Sequence, residues 1–207
     1  MKQAGCNEVD KSMNKMEEFN YTVEQFADLQ LLRYKVYGFE ELSLKQKELI
    51  YYLSQAALQG RDILFDQNGK YNLLIRKMLE TVYTEYQGDR TEVNFVNLET
   101  YLKRIWFSNG IHHHYASDKF VPGFTPEFFR DALNNVDALK LPLGKGETVE
   151  ELCEEVFPVI FDPEMMPKRV NQADGEDLVL TSAANYYEGV TQKEAEDFYH
   201  NLKNPDD

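Results

Sequence analysis

Ser/Thr-x-x-Glu/Gln boxes punctuate this chain at Thr22–Gln25, Ser43–Gln46, Thr148–Glu151 and Thr191–Glu194. In such a box the hydroxyl accepts from the amide three residues on, and the Glu or Gln side chain reaches back to the first amide. Two donors that a helix start would otherwise orphan are satisfied together. Each box leads into apolar residues at three- and four-residue spacing, and that pairing commits most of the chain to amphipathic helices. After Thr22 come Phe26, Leu29, Leu32 and Val36, closed by Gly38. After Ser43 come Leu49, Tyr52, Leu53, Ala56 and Ala57, with Gly60 just beyond. After Thr148 come Leu152, Cys153, Val156 and Phe157, up to Pro158, and after Thr191 come Ala195, Phe198, Tyr199 and Leu202.

Three further helices are predicted between these. A polar turn, Asp66-Gln67-Asn68-Gly69, precedes the stripe Leu73, Leu74, Met78, Val82 and Tyr86, which Gly88 ends. Asn94 to Ser108 carries Phe95, Leu98, Leu102, Ile105 and Trp106, and Asn109-Gly110 stops it. Thr125-Pro126 sets a cap and a first-turn proline ahead of Phe128, Phe129, Ala132, Leu133 and Val136. Strand signals are sparse. Val159-Ile160-Phe161 is short, and Leu178-Val179-Leu180-Thr181 is the best candidate. The expected fold is mainly α with a minor β element near the C-terminal side, an α+β arrangement. Its expected organisation is a tail over 1–20, a helical subdomain over 21–138, and helices plus short strands over 139–207, joined by the Gly-, Pro- and Lys-rich stretch Leu139 to Gly146.

Acidic residues outnumber basic ones 36 to 22, for a formal charge of -14, which disfavours nucleic acid as a partner. No run approaches the roughly 18 apolar residues of a membrane-spanning helix. Cys6 and Cys153 stand far apart and imply no disulfide framework. Met1-Lys2-Gln3-Ala4-Gly5-Cys6 ahead of a polar stretch reads in two ways. It matches the cleavage end of a bacterial lipoprotein signal, with Cys6 the lipid carrier and a periplasmic or membrane-anchored product. Equally it matches an ordinary N-terminus of a cytoplasmic protein.

His112, His113 and His114 stand side by side. Neighbouring side chains on a helix diverge by about 100°, and on a strand only His112 and His114 would share a face. A third metal ligand is missing, His200 is distant in sequence, and neither His-Glu-x-x-His nor Cys-x-x-Cys occurs. The residue reading is therefore a polar loop that uses imidazoles as hydrogen-bonding groups. Ser108 and Ser117 flank the cluster outside any Gly-x-Ser-x-Gly elbow. Cys153 falls at a core position. Carboxylate pairs such as Glu40-Glu41, Glu150-Glu151 and Glu154-Glu155 read as solvated surface, and Gly144-x-Gly146 lacks the rest of a nucleotide fingerprint. No catalytic, cofactor-binding or metal-ligating residue is assigned.

Six strings carry a resemblance. They are FADLQLLRY (Phe26–Tyr34), GFEELSLKQKELIYYLSQAAL (Gly38–Leu58), GRDILFDQN (Gly60–Asn68), YNLLIRK (Tyr71–Lys77), YLKRIWFSNGIHHHY (Tyr101–Tyr115) and NYYEGVT (Asn185–Thr191). From about Phe26 onward the chain resembles the N-terminal region of dipeptidyl peptidase III proteins of the Bacteroides type. The resemblance implies a zinc-dependent exopeptidase that removes dipeptides from the N-terminus of oligopeptides bound between two lobes. It implies a lower lobe of helices and a small β-barrel, with zinc held in the other lobe by a His-Glu-x-x-x-His helix and a downstream Glu. That motif is absent here, and neither Glu188 nor His200 matches it. The implied role is a non-catalytic part of the lower lobe that is inactive alone and carries no zinc, with oligopeptide substrate engaged only together with the missing catalytic lobe. The chain then reads as a fragment. The alternative is a stand-alone helical interaction module without peptidase activity.

Overall fold

The computed structural model describes residues 19–202, and the Cys6 question lies outside them. The described chain is mainly helical with one small two-stranded sheet, and it divides into two compact units at Ser43/Leu44.

In the first unit, β1 (Thr22–Phe26) and β2 (Leu29–Leu32) form an antiparallel hairpin joined by Ala27-Asp28. This overturns the helix expected from the Thr22 box. The cause lies in the geometry of a two-residue connection, which sets residues i and i+3 directly opposite each other. Phe26 pairs with Leu29, and Glu24 with Leu31. The three-residue spacing that marks a helical face is thus equally the signature of a cross-strand pair. Thr22 does not cap a helix; its hydroxyl accepts from Gln30 Nε2 at 3.1 Å. Ala27 sits at φ 49, the left-handed region that tight hairpin turns require. Gly38 (φ 83) then leads into a 3-10 turn at Phe39–Glu41.

The second unit opens with α1 (Leu44–Gln59), as its Ser43 box predicts. None of its side chains is buried. Leu49, Leu53 and Tyr52, which follow the box at helical spacing, are 58, 60 and 68% exposed. Periodicity locates an apolar face but does not say whether anything covers it. Next comes α2 (Arg61–Asn68), which takes in the polar residues Asp66 to Asn68 that the sequence marks as a turn. Its Phe65 is fully buried and lies under the Arg76 guanidinium at 4.5 Å, while Arg76 Nη2 donates to Asp62 at 2.8 Å. A buried apolar anchor and an ion pair with the next helix outweigh the turn-forming residues at its end.

The core is built by α3 (Asn72–Glu85), α4 (Val93–Ser108), α5 (Pro126–Asn134) and α6 (Val149–Phe161). Ile75, Met78, Leu79 and Val82 of α3 pack in one cluster with Leu98, Leu102 and Ile105 of α4 and with Phe129, Leu133, Leu152, Val156 and Ile160 of the later helices. Phe124, Phe129, Phe157 and Phe161 form a closed ring of aromatic contacts at 5.3–5.7 Å between centroids. Such stacked and edge-on pairs each add about 0.5–1.5 kcal/mol beyond area burial. The caps of α5 and α6 form as their sequences predict. Thr125 accepts from Phe128 N, and Thr148 and Glu151 make both bonds of the box.

Pro158 does not end α6, contrary to its sequence reading. The helix runs three residues further because Val159 and Ile160 are buried, and the carbonyl end is closed by a cation. Lys119 Nζ donates to the carbonyls of Val159 (3.1 Å), Met165 (2.6 Å) and Asp162. An ammonium at a helix C-terminus satisfies otherwise orphaned acceptors and opposes the helix dipole. Lys119→Met should therefore lower unfolding free energy by about 2 kcal/mol in urea denaturation. An unchanged midpoint would show the contact to be idle.

The strand expected at Leu178–Thr181 is instead a tight turn. The Asp177 carboxylate accepts from the amides of Val179 and Leu180, each at 2.9 Å, and of Gln192, and Thr181 N donates to the Asp177 carbonyl. A short side chain that takes two successive amides curls the backbone and removes them from any ladder. The β element consequently lies at the N-terminal side of the described chain. The last helix is α7 (Gln192–Leu202). No helix among the described residues is long and apolar enough to cross a membrane.

Candidate functional site

Two regions gather the residues that could carry function. The first is the histidine loop. Helix α4 ends on Asn109 in the left-handed conformation (φ 53), and Gly110 follows at φ 154. The turn is keyed to α3 and α2: Asn72 Oδ1 accepts from Ile111 N at 3.1 Å, and Asn68 Nδ2 donates to the Asn109 carbonyl at 3.0 Å. From there the chain makes a narrow loop in which His112 bridges to Lys119 and Phe120 N donates back to the Ile111 carbonyl. Residues 165–169 bind its flank. Lys119 N donates to the Pro167 carbonyl, Arg169 N to the Ser117 carbonyl, and Lys168 pairs with Asp118.

The three imidazoles do different work in this loop. His112 is 2% exposed and bonds the Met166 carbonyl through Nε2 at 2.8 Å. A carbonyl only accepts, so Nε2 carries the proton and Nδ1 is a buried, unprotonated nitrogen. Its pKa is pushed down to about 4. Burial is the main cause, with Lys119 and Arg169 adding to it, against the pull of the Met166 bond and of Asp118. His113 Nδ1 accepts from the amides of Tyr115 and Ala116 at 3.2 and 3.0 Å and so shapes the loop tip. His114 stacks on His113 at 4.6 Å and meets Phe107 edge-on at 4.9 Å.

The described residues do not fit a zinc centre. His112 spends Nε2 on a carbonyl, His113 spends Nδ1 on amides, and no three His, Cys, Asp or Glu side chains among the described residues could hold one ion. Glu188 pairs with Lys70 at 2.6 Å, and His200 lies on α7. Cys153 is buried in α6, where burial pushes its thiol pKa up, and Ser108 is buried at the end of α4. Neither has the exposed, base-paired setting of a nucleophile.

The second region is a groove of about 410 Å³ between the 178–187 segment and α7. Leu178, Val179 and Ala195 give it an apolar lining, Tyr187 and Tyr199 line it too, Glu196 contributes a carboxylate and His200 an imidazole. Asp177 and Gln192 tie the walls together: Asp177 holds the Gln192 amide, and Gln192 Oε1 accepts from Leu178 N at 2.9 Å. The backbone hydrogen bonds lower the Asp177 pKa. The sequence stripe on α7 was Ala195, Phe198, Tyr199 and Leu202, yet Phe198 and Leu202 are 59 and 65% exposed. The groove-facing set is Gln192, Ala195, Glu196, Tyr199 and His200, an equally regular helical face that mixes polar and apolar residues and so gives no hydrophobic periodicity.

No family model matches this chain, and no curated protein matches it.

Proposed function

We propose that this chain is the non-catalytic N-terminal segment of a zinc-dependent dipeptidyl peptidase of the dipeptidyl peptidase III type, forming the first part of its lower lobe. The six quoted strings carry this reading, above all Tyr101–Tyr115, which spans the end of α4 and the histidine loop. Support also comes from how that loop is used. Two of its imidazoles, His112 and His113, bond backbone groups, which suits a scaffold that holds a substrate-facing surface still while zinc chemistry is supplied by other polypeptide. Oligopeptide substrate is engaged jointly with that catalytic lobe.

A dipeptidyl-naphthylamide assay tests the proposal. The chain alone should give no turnover, and polypeptide extended to include a His-Glu-x-x-x-His helix should give zinc-dependent release of naphthylamine. Turnover by the chain alone, or none by the extended protein, would overturn it. The bare apolar face of α1 favours a second reading, a helical interaction module without peptidase activity.

A further inference from the structure

The groove beside α7 combines a fixed frame with one carboxylate. Its walls are tied by Asp177 and Gln192, as described above. Of the residues lining it, Glu196 bears the carboxylate and His200 an imidazole, and no lysine or arginine takes part. Gln192 Nε2 donates to Glu196 Oε1 at 2.7 Å, which orients the carboxylate and leaves it further acceptor positions. The one lysine of α7, Lys193, is engaged by Asp197 at 2.5 Å. Tyr187 and Tyr199 both line the groove, and their hydroxyls lie 3.5 Å apart. A second pocket of about 170 Å³ shares Leu178, Val179 and Tyr187 with the groove, and Val170, Ala184 and Tyr186 add to its apolar wall.

A carboxylate in an apolar groove attracts a cation carried on an apolar stem, and tyrosines lining the same groove add to that preference. The chain's formal charge of -14 adds a long-range preference of the same sign and repels acidic ligands. We propose that this groove docks a basic peptide segment, with a Lys or Arg side chain beside Glu196 and the two tyrosines and a neighbouring aliphatic residue in the smaller apolar pocket. The proposal stands apart from the peptidase reading, and either can fail alone.

Amide chemical shifts of the isotope-labelled chain, titrated with acetyl-Leu-Arg-Leu-amide and with acetyl-Leu-Glu-Leu-amide, provide the test. The arginine peptide should shift the amides of Tyr187, Gln192 and Ala195 saturably, and the glutamate peptide should bind at least about ten-fold more weakly. Glu196→Gln, at the edge of the groove, should weaken the arginine peptide about five-fold while leaving the spectrum of the core unchanged. Equal binding of the two peptides, no effect of Glu196→Gln, shifts confined to other surfaces, or no saturable shift up to about 5 mM would each overturn the proposal.

Discussion

Replacing Gly110 with alanine should lower unfolding free energy by about 3 kcal/mol or more. Two physical terms add. The residue sits at φ 154, where an L side chain is strained, and a Cβ there would lie 2.4 Å from Asn72 Nδ2 and 2.9 Å from Asn72 Cγ. Asn72 has little freedom to move. It is 2% exposed, and its Oδ1 is the acceptor for Ile111 N. Displacing it would leave a buried amide without a partner, at about 1–3 kcal/mol. Urea denaturation of Gly110→Ala, Asn72→Ala and the double variant separates the terms. The double variant should be more stable than the sum of the two single losses predicts, since removing the Asn72 amide removes the collision. Strict additivity would mean that the collision is relieved elsewhere.

Stability should also fall as pH drops from about 6.5 to about 4, and His112 should be responsible for about 3 kcal/mol of that fall. Its pKa in the fold is pushed down to about 4, against an ordinary value of 6.5. Above 6.5 the imidazole is neutral in both the folded and unfolded chain and contributes no pH dependence. Between 6.5 and 4 the unfolded chain takes up a proton that the folded one refuses, so unfolding is favoured increasingly. Below about 4 both forms are protonated and the effect levels off. Carboxylates whose pKa values the fold lowers, such as Asp177, Glu151 and Glu194, act in a different window. Their stabilisation is present above the ordinary carboxylate range and is lost only as pH falls below it. Denaturation midpoints from pH 7 to pH 5 therefore isolate the histidine. The slope should be clear in the native chain and nearly absent in His112→Gln, whose amide can still donate to Met166. Parallel curves would rule out His112 as the acid-sensitive group.

Much of this fold was legible because caps are local. The Thr125, Thr148 and Ser43 boundaries follow from side chains that reach only three residues, and the structure places helix starts there. The Thr22 box misled because its spacing is shared by a hairpin, where Phe26 meets Leu29 across the turn. Leu178–Thr181 misled because apolar strand formers were outweighed by one carboxylate, Asp177, whose third amide partner lies on α7. At the candidate sites the decisive contacts are long-range. Asn72 and Ile111 are 39 residues apart, and His112 and Met166 are 54 apart. Three identical side chains in a row give no local sign of which one will be buried. Only the bridge to Lys119 and the flank at residues 165–169 make His112 the interior member.

Helix α1 has a consequence for how the molecule melts. Its apolar side chains are already wet in the native state over a length of about 24 Å, so unfolding hydrates less new hydrocarbon than a chain this long normally would. The unfolding heat capacity per residue should then lie below the common value of about 12–15 cal/mol/K, and the stability curve should be correspondingly flat. A partner that covers α1 would restore the missing heat capacity, and calorimetry could detect it without knowing what the partner is.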